Sequence, residues 1–111
     1  DKDGAIKDYD EAIRLDPNYA QAYNNRGVAK SDLGDKDGAI KDYDEAIRLD
    51  PNYAKAYYNR ACFHALELNL TGMEEDLRKA LELDDEYRQW SLTDPDFDGV
   101  RETDEFRRAI S

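Results

Sequence analysis

The stretch "DPDFDGVRETDE", Asp94 to Glu105, carries acidic residues at positions one, three, five, nine and twelve of a twelve-residue frame, with glycine at six. That is the ligand order of a calcium loop, in which hard carboxylate oxygens surround a hard cation and the glycine permits a sharp turn. Asp94, Asp96, Asp98, Glu102 and Glu105 would be the ligands. Other positions oppose this reading. Arg101 stands at the eighth place, where an aliphatic residue pairs with a second loop, and Phe97 fills the usually polar fourth place. Neither a second loop nor long flanking helices are present.

Catalytic chemistry has little to work with. The single histidine, His64, lies two residues from the single cysteine, Cys62, and side chains at i and i+2 of a helix do not face each other. A nucleophile and base pair is not expected from them, and His64 reads as a packing or surface residue. The many carboxylates follow the solvated faces of helices. No glycine-rich phosphate loop or histidine cluster occurs, so no enzyme, cofactor or metal site is expected.

The 111 residues suffice for one module. Acidic residues outnumber basic ones by 27 to 16, a formal net charge of −11. Binding to nucleic acid or to an anionic membrane is thereby disfavoured, and a neutral or basic partner is easier to accommodate. With one cysteine there is no intrachain disulfide and no cysteine zinc site, so a reducing compartment, the cytoplasm by default, is expected. No apolar run reaches membrane-spanning length and no leader is visible.

What must position any site is a repeat. "DKDGAIKDYDEAIRLDPNYA" occurs unchanged at Asp1 to Ala20 and at Asp35 to Ala54, an offset of 34 residues. "AYNNRG" at Ala22 becomes "AYYNRA" at Ala56, and "MEEDLRKALELDDEY" is a diverged third copy. Ala39, Ile40, Tyr43, Ala46 and Ile47 make one stripe of an amphipathic helix that should stop at Asp50, before Pro51. A second helix runs through "YAKAYYNRACFHALEL". Small residues at Gly27 and Ala61 allow close backbone approach, and Gly34 suits a left-handed turn.

On these residues the chain resembles the tetratricopeptide repeat family. Counting from Ala20, its signature places hold Tyr23, Gly27, Gly34, Ala39, Tyr43, Ala46 and Pro51. Counting from Ala54, they hold Tyr57, Ala61, Leu77 and Ala80, but Leu68 replaces the turn glycine and Asp85 the proline. Arg26 and Arg60 occupy usually aliphatic places. A buried guanidinium needs a partner, so a ladder of pairs with Asp8, Asp42 and Asp76 is predicted.

The resemblance implies an all-α, right-handed superhelical solenoid of antiparallel helix pairs. The array would occupy residues 1–85, starting at a second helix, and a C-terminal capping segment residues 86–111. In that segment Tyr87 and Trp90 are expected to cover the last repeat, Phe97 to plug it, Gly99 to turn, and Thr103 to cap a final helix. The resemblance also implies a concave binding face holding Gln21, Asn24, Asn25 and Val28, then Lys55, Tyr58, Asn59 and Cys62. Asn25 and Asn59 would bond a peptide backbone, since an amide both donates and accepts, and Tyr58 would add apolar contact. The lysine and arginine clamp by which some relatives hold a chaperone's C-terminal carboxylate is missing, because its flanking places hold Asn24 and Val28, or Tyr58 and Cys62.

The expected function is therefore a protein interaction module. The alternative is self-association through the unpaired first helix, and a calcium-responsive module ranks third. Starting at a second helix suggests a piece of a longer array. The exact duplication would suit an engineered array too, but the irregular "NRACFHALELNLTGMEEDL", with its free cysteine, favours a natural chain recently duplicated.

Overall fold

The computed structural model describes residues 1–111 and is all helical. Helices α1 (Lys2–Leu15), α2 (Ala20–Asp32), α3 (Lys36–Leu49), α4 (Ala54–Leu66), α5 (Leu70–Leu83), α6 (Tyr87–Thr93) and α7 (Asp104–Ile110) follow in order, with a 3-10 turn at Pro95–Phe97 before α7. Two compact units result, Asp1–Tyr53 and Ala54–Ser111. In the first, α2 packs on α1 and α3; in the second, α4 packs on α5, and α7 closes on α5.

The same local devices recur every 34 residues. Asp1, Asp35 and Asn69 cap α1, α3 and α5 by accepting from the backbone N–H of Gly4, Gly38 and Gly72. The glycine leaves room for the cap: a methyl group at Gly72 would come within 2.7 Å of the Asn69 amide. Asp16, Asp50 and Asp84 end those helices in extended conformation and turn the chain by accepting from the N–H two residues on. Asp85 therefore substitutes for proline without loss of the turn, because the preceding aspartate makes it.

The α2–α3 and α4–α5 connections are the same left-handed cap. Asp35 N–H reaches Lys30 O and Asn69 N–H reaches His64 O, each spanning five residues. Gly34 takes φ +87 in the first, whereas Leu68 takes φ +58 in the second. A leucine side chain is strained there and gains little by burial, being 67% exposed.

Close helix approach rests on small residues. Tyr43 lies against Gly27 so tightly that a methyl group there would sit 2.9 Å from the ring. Thirty-four residues on, both places change together: Ala61 and Leu77 are fully buried in the second core, where a branched aliphatic chain replaces the ring and leaves space for the methyl. That core also takes in Met73, Ala80, Phe97, Val100 and Phe106. Thr103 caps α7 and Phe97 is fully enclosed, as the sequence suggests. Trp90 differs: it stands 63% exposed, and Phe97, Val100, Phe106 and Ala109 fill the core in its place.

Both arginines find carboxylates. Arg26 donates through Nε and Nη2 to the two oxygens of Asp42 at 2.8 Å each, and Arg60 does the same to Asp76 at 2.7 and 2.8 Å. Asp42 and Asp76 are buried. The bond to Asp42, more than any other influence, pushes the Arg26 guanidinium further toward its charged form. One rung is not as predicted. Asp8 is exposed, and Arg26 takes Asp10 at 2.8 Å instead, because two residues along α1 is about 200° around its axis. Lys30 and His64, one repeat apart, add 3.3 and 3.5 Å contacts to the same aspartates.

Two outcomes follow for chemical denaturation. Asp42→Ala should cost roughly 3 kcal/mol, the bottom of the range for orphaning a buried partner since Arg26 keeps Asp10, and the double change Arg26→Met with Asp42→Leu should recover most of it. Leu68→Gly should instead stabilise by roughly 0.5–1 kcal/mol, left-handed strain relieved less the added freedom of the unfolded glycine.

Candidate functional site

A cavity of about 370 Å³ opens in the second unit between α4 and the segment from Asp84 to Asp96. Along α4 it is lined by Lys55, Tyr58, Asn59 and Cys62, one face of a helix at i, i+3, i+4 and i+7. Opposite stand Asp84, Glu86, Tyr87, Trp90, Asp94 and Asp96. All four residues that the resemblance assigns to binding on α4 thus border one cavity.

The floor is held by a small network. Asp94 caps the 3-10 turn, one carboxylate oxygen accepting from Asp96 N–H at 3.0 Å. Its other oxygen accepts from the Tyr58 hydroxyl at 2.8 Å, with Cys62 Sγ 3.8 Å away. These donors are all neutral. Arg101 fixes the same segment from behind, donating to the carbonyls of Asp94 at 2.7 Å and Ser91 at 3.1 Å. The wall is aromatic: Tyr87 stacks on Tyr58 with ring centres 4.7 Å apart, and Trp90 follows at 6.4 Å from Tyr87.

Burial, first of all, pushes the Tyr58 hydroxyl and the Cys62 thiol well above their ordinary ranges, and nearby Asp94 raises both further. Tyr87 is raised too, by burial and then by Asp84 and Glu86. Cys62 is accordingly a protonated, unreactive thiol. His64 points elsewhere, its Nδ1 3.3 Å from the Asn69 amide and its Nε2 3.5 Å from Asp76.

Three acidic residues of the calcium frame have partners of their own. Asp94 serves Tyr58 and the turn, Asp98 pairs with Arg101 at 2.5 Å, and Glu102 pairs with Arg107 at 2.9 Å. Ligand atoms of Cys62, Asp94 and Asp96 do lie within 4.8 Å of one another. Those three combine a soft sulfur with hard oxygens, which departs from the all-oxygen ligand set that calcium takes.

In the first unit, α2 presents Gln21 and Val28 to solvent, while Asn25 is half-buried and Asn24 is fully enclosed with its amide 3.5 Å from Asn25 Oδ1. Sequence reasoning reached the α4 wall of the cavity through the repeat register. It missed the opposite wall, where Tyr87 and Trp90 read as a cover for the last repeat and Asp94 and Asp96 as members of a disfavoured calcium frame. The signal that was available is the Asp94 turn, which brings two carboxylates back beneath an aromatic helix.

Three family models match: a tetratricopeptide repeat model over residues 20–53, a TPR repeat model over 3–34, and a further tetratricopeptide repeat model over 42–82. No curated protein matches the chain.

Native Cys62 should react with Ellman's reagent at pH 8 at least about a hundredfold more slowly than after unfolding in guanidinium. Comparable rates in the two states would contradict the enclosed, protonated thiol.

Proposed function

Because the chain belongs to the tetratricopeptide repeat family, whose repeats generally mediate protein–protein interactions without enzymatic activity, we propose that it binds an extended peptide segment of a protein partner. The faces used are those of α2 and α4 that such arrays turn toward their concave side. In the second unit this means Lys55 and Asn59, with Tyr58 and Cys62 beneath. In the first it means Gln21, Asn25 and Val28, with Asn24 positioning Asn25 from below. Residues 86–111 act as the cap that completes the second unit. No helix is long and apolar enough to cross a membrane.

The observation that carries this reading is the cavity beside α4. It is concave and aromatic-walled, with a few convergent polar groups, the usual make-up of a recognition site. The half-buried Asn59 at its edge supplies an amide able to bond a peptide backbone. Acidic surroundings favour a neutral or basic partner.

A random peptide library displayed on phage should yield binders to the intact chain, and Asn59→Ala should weaken them about tenfold in fluorescence anisotropy, as expected for a pair of backbone hydrogen bonds. Failure to enrich any peptide would sink this reading.

A further inference from the structure

The second-unit cavity has a chemical bias stronger than the chain's general acidity. Four carboxylates line it, from Asp84, Glu86, Asp94 and Asp96, against one cation, Lys55. Asp94, on the floor, is oriented by the Tyr58 hydroxyl, the Cys62 thiol and a backbone N–H. None of these neutralises its charge. The walls are not those of a solvated acidic patch. Tyr58 is only 5% exposed and stacks on Tyr87, while Trp90 exposes 63% of its surface at the lip. Aromatic faces attract cations through their quadrupoles, and a planar guanidinium also stacks on them. Paired carboxylates suit its fork of donors.

We propose that this cavity receives an arginine side chain of the bound peptide, its guanidinium lying along Tyr87 and Trp90 and bonding the carboxylates of Asp94 and Asp96. This rests on the peptide-binding reading above and adds the identity of one recognised side chain. A long, thin side chain with a flat cationic head matches a volume near the lower end of ligand sites, whereas an anionic side chain would meet four like charges. Asp84 and Glu86 at the rim steer the cation inward, so binding weakens as salt is added.

Trp90 is the chain's single tryptophan and therefore a built-in reporter. Acetyl-Gly-Gly-Arg-Gly-Gly-amide should produce a saturable change in its fluorescence. The same peptide with citrulline, which keeps the shape and loses the charge, should bind about tenfold or more weakly. Asp96→Asn and, separately, the exposed Glu86→Gln should each weaken the arginine response, while Asp37→Asn in the first unit should not. Melting curves check that each variant folds, and Glu86→Gln stands alone should Asp96→Asn unfold. Equal responses to arginine and citrulline would overturn the proposal. Library peptides that still depend on Asn59 but show no preference for arginine would remove the cation pocket and leave the peptide reading intact. Conversely, a saturable Trp90 response to the arginine pentapeptide when the library yields no binder would support the pocket and remove the reading of an extended peptide held along α2 and α4.

Discussion

Close approach of helix backbones is the condition on which the rest of this structure depends. The chain is 39% charged, so large apolar side chains are scarce, and contact is made instead across Ala22, Gly27, Ala29, Ala39 and Ala46 in the first unit and Ala56, Ala61, Ala65 and Ala80 in the second. Helices packed on such small residues have little volume between them to fill. Larger polar groups at the margins must then satisfy one another. Arg26 with Asp42 and Arg60 with Asp76 do so in bidentate pairs whose geometry leaves little freedom in how neighbouring helices register. Such pairs add little net stability against an apolar alternative, but losing one partner is costly.

The second unit shows what divergence of a repeat can produce. With Leu77 in place of the tyrosine and Met73 in place of an alanine, α5 presents a broader apolar surface, and Phe97, Val100 and Phe106 cover it. Covering it brings the Asp94 turn back to α4. There the turn meets Tyr58 and Cys62, and the space left between α4 and α6 becomes the cavity. The site is thus a by-product of closing the core, since the residues that plug it also carry the carboxylates to its floor.

Much of this is legible in the sequence. Exact recurrence at 34 residues, Pro51, the capping aspartates and the left-handed Gly34 each act within a few residues, so sequence spacing alone locates the helix ends. The arginine pairs were legible as a need, because a guanidinium on a packed helix must be met. Which aspartate meets it was less so: Asp10 and not Asp8 faces Arg26, a matter of rotation about α1 that repeat register alone did not reveal. Trp90 was misplaced for a related reason. The need to cover the last repeat pointed to Trp90, but Phe97 and Phe106 fill that core, and α6 leaves the indole outside.

The twenty residues repeated without change mark the boundary between the two kinds of information. They give α1 and α3 the same length, the same cap and the same terminating turn. Yet α1 has no buried residue, while α3 buries Ala39, Asp42, Tyr43 and Ala46. Local hydrogen bonding depends only on neighbours in sequence, which are identical; burial depends on what lies across the helix face, as Gly27 lies beneath Tyr43. The cavity belongs to the second kind. Its lining runs from Lys55 to Asp96, a separation no periodicity spans, and only the folding of the last helices onto α4 and α5 brings its aromatic and acidic walls together.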